Sequence, residues 1–282
     1  MRVGPKVFSL YPGENASDVK NREILNNGQA LLVRATNDFE KRKAGDVYIV
    51  RGPTVFVPNV FETITRRFDA ISIAENEALY VQNNDTSELR LVRGPVSFVP
   101  DVNEDLYEKS FSQDVYTALN LPAQPSSKAL VVNLQKNEVL CVKDLHSNTE
   151  SFIKGPDSRV IGCNETIKVV TLSGGVPKKW ATNTKTATVS LAPDFCEDRM
   201  TVRTKDNAVL KVTLSYKFRF VVNDETLYKI FEGDYIGFAC ECLRSGIREV
   251  SSKYDFEHFH INASQILCNK LFADHTAVLS KD

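Results

Sequence analysis

Four side chains toward the C-terminus have the makeup of a metal or acid–base site. Cys240 and Cys242 offer thiols, and His258 and His260 offer imidazoles. Zinc takes such ligands, but structural zinc pairs are spaced by about two to four intervening residues, and neither pair here has that gap. On a helix, positions i and i+2 also point to different faces. The histidines can titrate near neutrality, yet no Ser or Cys nucleophile motif accompanies them, so they are expected to be surface or capping residues. Asp194, Glu197 and Asp198 cluster in PDFCED (193–198). Calcium wants several oxygens at loop spacing and a turn glycine, which this string lacks, so a solvated turn is expected. Lys178-Lys179-Trp180 sets cations beside an aromatic, a pairing that can stack a base; Trp180 packed on a sheet edge is the alternative. The motifs GxSxG, GxGxxG, GxxxxGK[ST] and HExxH are absent. Ser173-Gly174-Gly175-Val176-Pro177 has no Gly-Lys pair or helix start after it, and is expected to be an interdomain hinge. These residues indicate no enzyme, no cofactor and no metal.

The elements that carry these residues belong to an ordinary folded chain. It has 282 residues, 35 basic against 36 acidic, with 42% apolar and 25% charged side chains. Residues 1–172 hold 20 basic and 22 acidic side chains, and residues 173–282 hold 15 and 14. Neither part has the positive field of a nucleic-acid binder, so no direct nucleic-acid binding is expected. No apolar run approaches the ~18 residues of a membrane span, and the start, MRVGPKVFSLYPG, has no signal-type apolar stretch. A membrane role is therefore disfavoured. A cytoplasmic location is expected, with the nucleus open as a second compartment. Cys141, Cys163, Cys196, Cys240, Cys242 and Cys268 are scattered among apolar neighbours, as reduced, buried thiols would be.

Internal repetition is the strongest signal. Gly-Pro recurs at Gly4-Pro5, Gly52-Pro53, Gly94-Pro95 and Gly155-Pro156. Two copies continue alike, as RGPTVFVPNV (51–60) and RGPVSFVPDV (93–102), so Pro58 and Pro100 close equivalent strings. The copy at 154–165 keeps the dipeptide and loses the second proline. Upstream, NGQALLV (27–33), NEALYV (76–81) and NEVLCV (137–142) place a turn-prone Asn before a β-rich run. VYIVRG (47–52), LRLVRG (89–94) and SFIKG (151–155) supply the next strand. The unit is strand, polar turn, strand, Gly-Pro turn, short strand, with stacking on neighbours needed to bury its remaining face. LNLPAQPSS (119–127) is expected to be a surface loop.

After residue 173 the period changes. TKTATVSL (184–191), MTVRT (200–204) and AVLKVTLSYKFRFVV (208–222) are expected strands, the last alternating apolar and polar residues. KDNA (205–208) is a turn. Helices are expected from Asp224 to Phe231, from Asp234 to Tyr254 with a stripe of Ile236, Ala239, Leu243, Ile247 and Val250, and after an Asp255 cap. The fold class is mainly β with α+β: tandem antiparallel β-repeats, then an α+β module.

Together, AGDVYIVRGPTVFVPNV (44–60), IAENEALYVQN (73–83), TLSGGVPKKW (171–180), APDFCEDRMTVRTKDNAVLKVTLSYKFRFVVND (192–224) and YDFEHFHINASQIL (254–267) resemble the major vault protein family, subunits of a barrel-shaped ribonucleoprotein. The resemblance implies a partial repeat at 1–25, repeats at 26–67, 68–125 and 126–172, and a shoulder domain at 173–282 similar to the stomatin/prohibitin type. It implies a structural subunit forming upper wall and shoulder. Its partners would be copies of itself or full-length vault-type subunits. It also implies a short form, either a paralogue or a fragment, without the cap helix and most wall repeats. Arg42, Lys43, Asp46, Arg51, Arg93 and Glu104 are candidate lateral-interface residues. The alternative function is a membrane-associated or scaffold/adaptor module using the shoulder.

Overall fold

The computed structural model describes residues 7, 9–13, 20–174, 178–179 and 183–271. Gly4, Pro5, Gly175, Val176, Pro177 and Trp180 lie outside the described residues. The chain divides into two compact units. One holds the described residues up to Ser110 together with Pro125–Val131, and the other holds Phe111–Gln124 with the described residues from Val132 onward.

Three repeats share one topology. The first contains β1 (Glu23–Leu25), β2 (Gln29–Ala35), β3 (Val47–Arg51), β4 (Thr54–Phe56) and β5 (Glu62–Asp69). β1 pairs with β4, and β2 is central between β3 and β5. The second contains β6 (Ile71–Ile73), β7 (Ala78–Asn83), β8 (Leu89–Arg93), β9 (Val96–Phe98) and β10 (Glu104–Leu106). Here β6 pairs with β9, and β7 is central between β8 and β10. After α1 (Gln113–Ala118) the third repeats the plan with β11 (Val131–Leu134), β12 (Glu138–Asp144), β13 (Glu150–Lys154), β14 (Asp157–Val160) and β15 (Glu165–Ile167). Each repeat thus has two strands beyond the expected unit, one before the Asn turn and one after the closing proline. Alternation along β2 buries Leu31 and Val33 against Leu25, Tyr48, Val50, Phe56 and Ile64. In the second repeat Leu79 and Val81 pack with Ile73, Phe98 and Val92. Each such side chain is stabilised by about 1.5–3 kcal/mol on burial.

In every repeat the strand beside the central one is interrupted at the same place. In the first, β5 shifts register opposite Leu32/Val33, with Ile64 facing Val33 and Arg66 facing Leu32, so Thr65 is an extra bulged residue. In the second, Tyr107 N–H donates to Tyr80 O (2.9 Å), the chain leaves, and Ser127 returns to accept from Tyr80 N–H (2.9 Å). In the third, Lys168 N–H donates to Cys141 O (3.0 Å), and the chain returns with Thr188 opposite Leu140. The two excursions thus enter at the position of the Thr65 bulge. The first carries α1. The second carries β16 (Val170–Ser173), β17 (Lys178–Lys179) and β18 (Asn183–Thr186), and returns as β19 (Thr188–Ser190). Within the second unit α1 meets β18, where Lys185 Nζ donates to Asp114 Oδ1 at 2.6 Å.

The C-terminal module is built on β20 (Asp194–Arg203) and β21 (Val209–Phe218), paired over their full length. Its helices are α2 (Asp224–Ile230), α3 (Tyr235–Ser251) and α4 (Phe256–Leu271). PDFCED is not a solvated turn: it runs into β20, a ten-residue strand whose inward positions Cys196, Asp198, Met200 and Val202 are buried. Period-2 alternation across an acidic string produced that strand. The buried stripe of α3 is Ile236, Gly237, Cys240, Ile247, Val250 and Ser251, while Ala239 and Leu243 stay half-exposed. α2 opens on Asn223, whose side chain accepts from Thr226 N–H (2.9 Å) while Thr226 Oγ1 accepts from Asn223 N–H (2.9 Å). α4 opens with Phe256 N–H donating to Asp206 Oδ1 (3.0 Å), so its cap comes from the β20–β21 turn.

Candidate interaction surface

The Gly-Pro string is an anchor point. Gly52 N–H donates to Gln29 O (2.8 Å), Gly94 N–H to Glu77 O (3.0 Å) and Gly155 N–H to Glu138 O (2.8 Å). A Cβ at these glycines would lie 2.1, 1.9 and 2.1 Å from the carbonyl oxygens of Asn26, Ala74 and Gln135. Only glycine lets the two backbones come this close. Pro53, Pro95 and Pro156 follow across cis bonds. Pro58 and Pro100 are buried, and Ile161 is buried at the corresponding place in the third repeat, which explains how that copy dispenses with proline.

Two side-chain clamps per repeat went unread in the sequence. Gln29 Oε1 accepts from Asn26 N–H (3.1 Å), Glu77 Oε2 from Ala74 N–H (3.3 Å) and Glu138 Oε2 from Gln135 N–H (2.7 Å). Glu62 Oε2 accepts from Asn59 N–H (2.7 Å), Glu104 Oε2 from Asp101 N–H (3.2 Å) and Glu165 Oε2 from Gly162 N–H (2.7 Å). The signal was present: a Glu stands four residues after Pro58, Pro100 and Ile161. Each of these carboxylates has a second partner. Tyr48 Oη donates to Glu62 Oε1 (2.5 Å), Arg90 donates to both oxygens of Glu104 (2.8 and 2.9 Å), and Arg159 donates to Glu165 Oε1 (2.5 Å). Hydrogen bonding to Arg90 holds the Glu104 carboxyl below its ordinary range despite partial burial. Lys20 Nζ reaches Asn59 O (2.9 Å), Val60 O (2.8 Å) and Glu62 O (2.5 Å), covering the same loop in the first repeat.

The six candidate lateral residues do not form one cluster. Arg42 lies over the Tyr48 ring at 3.2 Å. Lys43 N–H donates to Asp46 Oδ2 (2.8 Å), so both sit in one exposed turn. Arg51 pairs with Asp101 (3.7 Å) and donates to Val99 O (3.4 Å), joining the first repeat to the second. Glu104 is held by Arg90 with a side chain only 14% exposed. Arg93 is exposed at the end of β8. Lys43, Asp46 and Arg93 thus face solvent, whereas Arg51 and Glu104 serve internal contacts. The outward cross-strand pair also differs between repeats. It is Ile24 with Val55 in the first, both more than half exposed, with Val57 nearby in sequence. It is Ser72 with Ser97 in the second, and the hydrogen-bonded pair Asn133 and Ser158 (2.8 Å) in the third.

The C-terminal candidates resolve differently. His258 stacks on Tyr254 and His260 on Phe256, each at 5.4 Å, on the exposed side of α4. Asp198 accepts a bidentate bond from Arg244, with Nε at 2.7 Å. Its side chain is fully buried. An open recess of about 350 Å³ is lined by Thr201, Val202, Arg203, Val209, Arg248 and Ser252. Among the described residues no three His, Cys, Asp or Glu side chains gather to hold a metal ion, and no helix is long and apolar enough to cross a membrane.

Tandem five-stranded repeats running into an α+β module define a repeat-built chain whose recurring parts are structural clamps. Residues 23–59 match the Major Vault Protein repeat domain, and residues 192–281 match the shoulder domain of the same family. The chain is similar in sequence to the major vault proteins. It is 28% identical to the major vault protein of Gallus gallus (95% of this chain, 36% of the relative) and 29% to that of Homo sapiens (97% and 34%). It is 30% identical to that of Strongylocentrotus purpuratus (95% and 35%). The chain spans about a third of the length of the curated relatives it matches.

Proposed function

We propose that this chain is a structural, non-enzymatic subunit of a vault-like ribonucleoprotein particle, in which its repeats pack side by side to form upper wall and its C-terminal module forms shoulder. The observation that carries this reading is the threefold recurrence of one clamped β-unit leading into a shoulder-type sequence. A unit of this size buries little apolar surface alone and gains stability from neighbours. The partners are copies of this chain or full-length vault-type subunits, in the cytoplasm, with no direct nucleic-acid contact. Lys43, Asp46 and Arg93 are the lateral candidates that remain at the surface, beside the half-buried Arg42 over the Tyr48 ring.

Sedimentation velocity over a range of concentrations, alone and mixed with a full-length vault-type subunit, tests the proposal. Large discrete species, or co-sedimentation with the longer subunit, are expected. Reversing Arg42, Lys43, Asp46 and Arg93 together is expected to abolish the association. A monomer in every mixture overturns the reading. Unchanged association of the reversed variant overturns the residue assignment.

A further inference from the structure

Strand β20 and helix α3 meet in matched rungs. Two residues of strand advance about 6.6–6.8 Å, and four residues of helix advance about 6 Å. Stepping by two along β20 and by about four along α3 therefore keeps partners opposed. Cys196 faces Cys240, Asp198 faces Arg244, Met200 and Val202 share a cluster with Ile247 and Val250, and Ser251 Oγ donates to Arg203 O (3.4 Å). The first rung is a pair of thiols. Cys196 and Cys240 are each 2% exposed, and their Sγ atoms lie 3.6 Å apart among Ile236, Tyr216, Phe218 and Tyr235. The neighbouring buried ion pair fixes strand and helix in register, so the sulfurs are held together by the fold.

We propose that Cys196 and Cys240 are a reversible oxidation site that takes a peroxide as oxidant and closes to a disulfide fastening α3 to β20. One thiolate attacks the peroxide O–O bond, forming a sulfenic acid and releasing hydroxide. The second thiolate attacks the sulfenic sulfur, forms the S–S bond and expels the second hydroxide. The two protons lost by the thiols and the two hydroxides make two waters, so two thiols lose two electrons and one peroxide gains them. The sulfurs need to close from 3.6 Å to about 2.05 Å, a movement within reach of side-chain rotation. Burial, then the hydrogen bond shared with Cys196, pushes the Cys240 thiol up to about 12. The thiolate is therefore scarce at neutral pH and the site reacts slowly, with the rate climbing as pH rises. Cys163, Cys242 and Cys268 are more exposed and provide internal comparisons.

The test treats the whole chain with hydrogen peroxide at pH 7 and pH 9, blocks remaining thiols after denaturation, and maps peptides by mass. A Cys196–Cys240 linked peptide, lighter by two hydrogens and released by dithiothreitol, is expected, forming on the order of 100-fold faster at pH 9. The oxidised chain should melt about 5–10 °C higher, because the link closes a long loop of the unfolded chain. Cys240→Ala should lose both the linked peptide and the melting shift. Should that variant fail to fold, the map of the unaltered chain decides alone. Recovery of Cys196 and Cys240 as blocked thiols at both pH values, while more exposed cysteines oxidise, overturns the proposal. So does a Cys196–Cys240 link formed equally fast at both.

Discussion

A methyl group at Gly52, Gly94 or Gly155 would sit between 1.9 and 2.1 Å from a facing carbonyl oxygen, deep inside van der Waals contact. The clash is with backbone, which cannot swing aside as a flexible side chain can. Moving it would also stretch the bond from each glycine N–H to Gln29, Glu77 or Glu138. Gly52→Ala is expected to cost at least about 2 kcal/mol in urea unfolding. A change below about 0.5 kcal/mol would show that the turn relaxes freely. Glu104 offers a second residue-level outcome, through pH. Its carboxyl lies lower in the folded chain than in the unfolded one, because Arg90 and the Asp101 N–H bind the charged form. A depressed carboxyl contributes stability above its unfolded value of about 4.3, and that contribution fades as pH falls through the folded value. Glu104→Gln should therefore lower stability at pH 7 and flatten the acid limb between about pH 5 and pH 3, read by urea titrations at each pH.

At the scale of elements, the sequence exposes what recurs in identity and hides what recurs only in place. The two long strands and the Gly-Pro turn of each repeat were legible because Gly, Pro and alternating apolar residues are forced there by geometry. The strands at Glu23–Leu25, Ile71–Ile73 and Glu104–Leu106 were not, because three residues are too few to show a period and no Gly-Pro turn precedes them as it does Thr54–Phe56 and Val96–Phe98. The clamping carboxylates looked like ordinary surface charge. The excursions after Tyr107 and Lys168 hid the fact that one bulge, plain at Thr65, is the insertion point in all three repeats. Among the candidate sites, the acids of PDFCED were visible, but Asp198 could be placed opposite Arg244 only after the chain had brought β20 beneath α3. That pair is the element-scale test. Removing one partner of a buried pair strands the other charge, so Asp198→Asn and Arg244→Met should each cost about 3–5 kcal/mol. The double variant should cost much less than the sum, because neither charge is left uncompensated. Additive costs in chemical unfolding would mean that the pair is incidental to how strand and helix are joined.

On the scale of the whole molecule, the sequence pattern changes at residue 173 while the core does not. Val139 and Cys141 of β12, Val170 and Leu172 of β16, and Val189 of β19 form one cluster with Leu227, Ile230 and Phe231. Phe152 of β13 meets Tyr228 edge-on at 4.7 Å and Phe231 at 5.5 Å. The third repeat and the α+β module thus bury a common apolar surface, whereas the first two repeats have clusters of their own. Cutting at 173 would uncover Leu227, Ile230 and Phe231, removing on the order of 5 kcal/mol of burial. That is comparable to the entire stability of an ordinary domain. A chain of residues 111–282 is expected to unfold in one cooperative step by calorimetry. A chain of residues 173–282 should bind a hydrophobic dye and lose its sharp transition. If the shorter chain melted as sharply and as high as the longer one, the shared cluster would contribute nothing, and the third repeat would have to be regarded as independent of the module it adjoins.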